Sequence, residues 1–256
     1  MIELKNLTVS YGNKIILNNI STTFQEGDFV CIIGKNGCGK STLLKTIIGL
    51  KNYSGKILLN NIDIKNLSRI ERAKEIAYLP QIREVPSIDV KTLIEHGRFP
   101  YLGFSKILKQ EDKDKISYAI EITSTKDILN KKVIELSGGE RQRVYLAMVI
   151  AQDAKTIILD EPTTFLDISH QIEMMEIISK LNKEGKNIII VVHDLPQAFT
   201  YGNEIKVIDR GNVVIEGKPD NLYKNVEIGK IFGISLTKTH SKKALYSYHL
   251  VKKNFI

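Results

Sequence analysis

The chain has 256 residues, 43% of them hydrophobic, enough to bury a substantial core in one or two domains. No apolar run reaches the roughly 18 residues that a membrane span needs. The two cysteines, Cys31 and Cys38, form no C-x-x-C pair, which argues against a disulfide framework and a structural zinc site. The net charge of +8 comes from scattered lysines with no basic cluster interleaved with aromatics. Nucleic acid is therefore not an expected partner, and the excess reads as a solvated lysine-rich surface, with weak attraction to an anionic inner leaflet as the lesser alternative.

The chain opens on a strand, Ile2-Glu3-Leu4, so no signal peptide is expected. This strand ends at Tyr11-Gly12. Residues 29–33 (Phe-Val-Cys-Ile-Ile) are a short apolar run that suits a strand buried on both faces. Then come Gly34, Lys35, Asn36, Gly37, Cys38, Gly39, Lys40, Ser41 and Thr42, followed by apolar residues at helical spacing up to Gly49. Strand, glycine-rich loop and helix are the context that G-x-x-x-x-G-K-[ST] requires. The glycines let backbone N–H groups approach phosphate oxygens, and the helix N-terminus adds positive potential. Lys40 is expected to reach the β- and γ-phosphates, Ser41 to ligate Mg²⁺ and Thr42 to bind on the α-phosphate side. Cys38, beside Lys40 at the helix start, is expected to have a lowered pKa and to be reactive.

Further along, the strand 76–80 leads to Gln81. A helical insert follows over about residues 85–150, with candidate helices at 90–94 and 110–124 around His96-Gly97-Arg98-Phe99-Pro100-Tyr101-Leu102-Gly103. Within its C-terminal part, Leu136 to Gln142 (Leu-Ser-Gly-Gly-Glu-Arg-Gln) open a helix running to about Ala151. Ser137, Gly138 and Gly139 at that helix start form an anion site, and Ser137 is also a natural N-cap. The strand 156–161 ends in Asp160 and Glu161, where open α/β sheets place ligands. Asp160 is expected to hold Mg²⁺ and Glu161 to act as general base, the two acids pointing apart as strand neighbours do. After a crossover helix over 169–184, the strand 188–194 ends in His193, assigned to the γ-phosphate. The tail 236–256 carries no motif, although residues 244–251 could add a strand.

Taken in order, these motifs resemble the ATP-binding cassette (ABC) ATPase family from about residue 2 to 232. The resemblance implies an α/β fold: a P-loop NTPase cassette with a RecA-like core, an antiparallel β subdomain and a helical signature subdomain. It implies one cassette over 1–235, with ATP and Mg²⁺ as its nucleotide and cofactor. Tyr11 looks like the aromatic that stacks on adenine. Gln81 looks like the loop glutamine that senses Mg²⁺ and the attacking water. Ser137, Gly138, Gly139 and Glu140 match the signature, which in the family meets the γ-phosphate held by a second copy. Leu166-Asp167 look like the dimer-contact loop, with Phe165 where serine or alanine is commoner. Glu161, His193 and Gln81 are then the catalytic set, and Ser41, Gln81 and Asp160 the metal set.

The stretch from Gln81 to Ser137 is too short for the long coiled coil of repair ATPases. A single cassette differs from tandem translation factors, and a fused membrane domain, as most exporters have, is not expected. The Gly97-Arg98-Phe99-Pro100 segment is similar to that of ATPases serving iron(III)-siderophore, haem and cobalamin importers. The implied function is ATP hydrolysis that drives iron(III)-siderophore import. Cobalamin or haem import is the alternative within the class, and a soluble regulatory or repair ATPase the alternative outside it. The implied partners are a second copy, a transmembrane permease and, indirectly, an extracytoplasmic solute-binding protein. The implied location is the cytoplasmic face of the membrane. Phe99 to Leu102 are expected to meet the permease.

Overall fold

The computed structural model describes residues 1–81, 84–103, 107–239 and 245–250. The chain forms two compact units, Met1–Asn66 with Ile189–Ile256, and Leu67–Ile188.

The first unit opens with β1 (Ile2–Tyr11) and β2 (Lys14–Phe24), an antiparallel pair. Alternation buries Ile2 and Leu4, then slips: Asn6 is left-handed (φ 50°) and the register shifts between Leu4 and Leu7. The bulge keeps Leu7 and Val9 on the buried face. After β3 (Phe29–Ile33) and α1 (Lys40–Ile47), β4 (Ser54–Leu59) and β5 (Ile62–Asp63) complete a four-stranded sheet of order β2-β1-β4-β5. All five residues of β3 are buried, as its unbroken apolar run predicts.

The second unit begins at α2 (Arg69–Glu75), where Ser68 and Glu71 form a capping box, and β6 (Ile76–Leu79) follows. Next are α3 (Val90–Glu95), a 3-10 turn over His96–Tyr101, α4 (Gln110–Ile122) and α5 (Gly138–Ala151). Val144, Tyr145, Leu146 and Ala147 are consecutive and all buried, so α5 is enclosed nearly all round, with α3 and α4 against it. Gly97 permits a close crossing, since a side chain there would collide with the Met148 carbonyl. Arg98 is buried and donates to Asp112 at 2.8 Å and to the Ala151 carbonyl at 3.0 Å. It thereby ties the 3-10 turn to α4 and to the open carbonyls at the end of α5. Two further elements, β7 (Thr156–Asp160), parallel to β6, and α6 (Ile168–Lys183), follow.

The next strand, β8 (Asn187–Val191), leads into the rest of the first unit. There the Val192 N–H reaches the Ile32 carbonyl at 3.3 Å, beside the end of β3. The Asp194 side chain caps α7 (Leu195–Tyr201). Beyond it, β9 (Glu204–Asp209) pairs parallel with β3, and β10 (Asn212–Gly217) antiparallel with β9. The short helices α8 (Pro219–Leu222) and α9 (Val226–Phe232) precede a hairpin of β11 (Ile234–Thr239) and β12 (Leu245–Leu250). The tail thus contributes a strand, while Ala244 and Val251 of the expected stretch lie outside the described residues. Tyr246 anchors the hairpin: its ring lies 5.5 Å from that of Phe199 and its hydroxyl donates to Asp220 at 2.6 Å.

Among the described residues, no helix is long and apolar enough to cross a membrane.

Candidate functional site

The residues expected to act on a nucleotide fall in both units, and each group has its own geometry. In the first unit, the loop 34–39 carries the chain from β3 into α1. Gly37 and Gly39 adopt φ 76° and 108°, conformations that an L side chain would strain. Space above Gly37 is open, whereas a side chain on Gly39 would strike Leu17 at 2.7 Å. The Lys40 ammonium is buried and donates to the Gly34 carbonyl at 2.8 Å and the Lys35 carbonyl at 3.1 Å. A cation held by two loop carbonyls, beside a helix N-terminus, is poised to exchange them for phosphate oxygens.

Tyr11 ends β1 and is 46% exposed, with its hydroxyl 3.5 Å from that of Thr42. The Thr42 hydroxyl and the nearby Lys51 and Lys45 lower its pKa. An exposed ring beside the phosphate loop is suitably placed for stacking. His193 is exposed and lies two residues beyond β8, next to the strand that feeds the loop.

Cys38 corrects an expectation. Its side chain is buried, and that burial raises the thiol's pKa against the opposing pull of Lys40. The sulfur packs under the loop, 2.7 Å from where a Gly34 side chain would begin. Helix and lysine do act on it, but desolvation wins.

In the second unit, Asp160 closes β7 with only 1% of its surface exposed, and the Tyr78 hydroxyl donates to it at 3.3 Å. Glu161 is 7% exposed and left-handed (φ 55°). The strand stops at Asp160, so the turn at Glu161, not the strand pleat, divides the two carboxylates. A left-handed non-glycine residue costs on the order of 1 kcal/mol and persists where the surrounding structure over-determines it. The Gln81 amide donates to Glu161 Oε2, and the Thr164 hydroxyl reaches the same oxygen at 3.3 Å. The structure thus joins Gln81 and Glu161, eighty residues apart in sequence. Tyr78 and Thr164 were not singled out in the sequence; only their alternate position on β6 and their place after Glu161 hinted at them.

The signature turn is a complete capping box. Ser137 Oγ accepts the Glu140 N–H at 3.3 Å, and Glu140 Oε2 accepts the Ser137 N–H at 2.9 Å and its hydroxyl at 2.7 Å. These bonds lower the Glu140 pKa, helped by Lys131. The chain's own carboxylate thus sits where an anion is attracted. The neighbouring loop holds Phe165 at φ 66° with 98% of its surface exposed, followed by Leu166 and Asp167.

In the first unit, a buried cation on exchangeable carbonyls beside a helix-start hydroxyl fits a nucleotide's phosphates; in the second, a buried strand-end carboxylate is the chemistry a magnesium ion would take. Known proteins resemble the chain along most of its length. The ABC transporter family model matches residues 17–164. The chain is 37% identical to the Achromobactin transport ATP-binding protein CbrD of Dickeya dadantii (strain 3937), over 91% of this chain and 88% of that one. It is 37% identical to the Ferric enterobactin transport ATP-binding protein FepC of Escherichia coli (strain K12), over 90% and 86%. A solved dimer of the ATP-binding cassette MJ0796, in a post-hydrolysis state with ADP and Pi, superposes with a TM-score of 0.76 at 30% identity, over 86% and 99%. With phosphate loop, strand-end carboxylates and signature turn all present and the match running along most of the chain, the protein belongs to the ABC transporter family.

Proposed function

We propose that this chain is the ATP-hydrolysing subunit of an importer for iron(III)-siderophore chelates, working as one cassette over 1–235. The observation that carries the ATPase reading is the buried, left-handed Glu161 pinned by Gln81. Relatives named for achromobactin and ferric enterobactin transport support the cargo class.

The chemistry follows from the residues. Lys40 trades its loop carbonyls for β- and γ-phosphate oxygens, Thr42 binds on the α-phosphate side, and the loop from Gly34 to Gly39 supplies N–H donors. Tyr11 stacks on the adenine. Ser41, Asp160 and Gln81 hold Mg²⁺. When bound, that ion neutralises charge on the phosphates. Glu161 accepts a proton from the water whose oxygen attacks the γ-phosphorus, and the bond to the ADP oxygen breaks. His193 donates to a γ-phosphate oxygen. Ser137, Gly138 and Gly139 of a second copy cap the same phosphate once Ser137 releases Glu140. The solved dimer of a 30% identical cassette supports the paired arrangement. The permease holds the pair at the cytoplasmic face of the membrane, and a solute-binding protein delivers cargo from outside.

The test is Glu161→Gln. It keeps the positioning of the nucleotide and removes the base, so hydrolysis should fall by at least about a hundredfold while ATP binding persists. Sizing with and without Mg²⁺-ATP should show an ATP-dependent dimer. A variant that stays monomeric at saturating nucleotide would overturn the shared site.

A further inference from the structure

Beside the signature turn lies a contact that the roles above leave unused. His170 sits in the first turn of α6, and its Nδ1 is 2.8 Å from both oxygens of Asp167. The same carboxylate caps the helix, accepting the His170 N–H at 2.9 Å and the Ser169 hydroxyl at 2.8 Å. These donors, the His170 N–H foremost, hold the Asp167 pKa down to about 2. Asp167 is therefore an anion at neutral pH, and the imidazole directs its Nδ1 proton toward it. The opposite edge of the ring faces α5. A side chain built on Gly139 would begin 3.2 Å from His170 Cδ2 and 3.3 Å from Nε2, whereas none of the neighbouring chain lies within 4 Å of one on Gly138.

The two glycines thus serve different ends: Gly138 leaves room above the turn, while Gly139 makes room for the imidazole. Two further ties join α5 to α6 and the loop before it, and a third braces that loop against α6. The Gln142 amide donates to the Pro162 carbonyl, the Gln171 amide to the Leu166 carbonyl at 2.9 Å, and Arg143 pairs with Glu173 at 3.6 Å. His170 lies at this junction with the far edge of its ring against Gly139 of the turn.

We propose that His170 is a positioning residue for the signature: tethered to Asp167, its ring is the floor on which the Gly139 turn rests, and it sets where those N–H groups meet the phosphate held by a second copy. The proposal rests on the shared-site reading above.

The experiment uses the Glu161→Gln protein as parent and measures the Mg²⁺-ATP-dependent dimer dissociation constant by analytical ultracentrifugation. His170→Ala should weaken the dimer about tenfold, the equivalent of roughly 1.4 kcal/mol. ATP affinity of the monomer and the melting temperature should stay at the parent's values. His170→Asn places an amide nitrogen where Nδ1 was and an oxygen where Cδ2 was, so it should restore most of the loss. His170→Leu fills space without the tether and should not. A parent that dimerises while His170→Ala dimerises equally well overturns the proposal alone. So does a loss that tracks a lowered melting temperature or that Asn does not rescue. A parent that stays monomeric overturns the shared-site reading, and this proposal with it.

Discussion

At the scale of single residues, backbone conformation and burial reverse what local sequence suggests. Cys38 has the neighbours of a reactive thiol, yet burial raises its pKa. In the folded protein at neutral pH it should react with iodoacetamide far more slowly than a free cysteine, and Cys31, buried in β3, should not react at all. Mass spectrometry of folded and denatured samples checks this: in the folded protein Cys38 should label slowly and Cys31 not at all, and both should label fast on unfolding. Phe165 is the converse case, a large apolar side chain that is exposed and left-handed. Phe165→Gly should stabilise the isolated subunit by about 0.5 kcal/mol, because strain at φ 66° outweighs the lost chain stiffness. Differential scanning calorimetry would show a lower melting temperature if the ring were packed. Neither outcome could be foreseen from the residue types, which fix chemistry but not exposure.

At the scale of elements, the segment around the 3-10 turn divides into a structural half and an exposed half. Arg98, just before the stretch expected at an interface, is buried, its guanidinium 3.9 Å from the Tyr101 ring centroid and bonded to Asp112. Removing one partner of a buried pair strands the other charge, so Asp112→Ala should cost about 3 kcal/mol by urea unfolding. The pair also carries a pH signature. Burial alone would raise the Asp112 pKa, but the Lys109 N–H and Arg98 outweigh it and lower it. Its stabilisation is fully present above the unfolded value near 3.9 and is lost as pH falls through the lower folded value. Phe99, by contrast, is 57% exposed, its ring tilted against that of His96 at 4.3 Å between centroids. Phe99→Ala should therefore leave the melting temperature unchanged and reduce assembly with the permease. Tyr101→Ala should lower the melting temperature, because it uncovers Arg98. Co-purification and calorimetry on the two single variants separate these effects, which a double variant would merge.

For the whole molecule, chemistry requires groups that are far apart in sequence, and one removal tests the ensemble. With Mg²⁺ chelated by EDTA, nucleotide should still bind through Lys40 and the loop, only more weakly, while hydrolysis stops. Fluorescent-nucleotide titration alongside phosphate release would distinguish this from a site that loses nucleotide altogether. What the sequence determined alone is the set of local units. The unbroken apolar runs are β3, β7 and β8, and the glycine-rich loop and the Ser137 turn open α1 and α5. Those signals are legible because strand burial, turn geometry and helix capping depend on neighbours within a few residues. The tertiary structure decided the rest: the Gln81–Glu161 bond, Tyr78 on Asp160, the Arg98–Asp112 pair and the His170 ring against Gly139. Each joins residues whose separation along the chain carries no periodic or motif signal. Each is specified only by which buried polar group finds its partner once the core has closed.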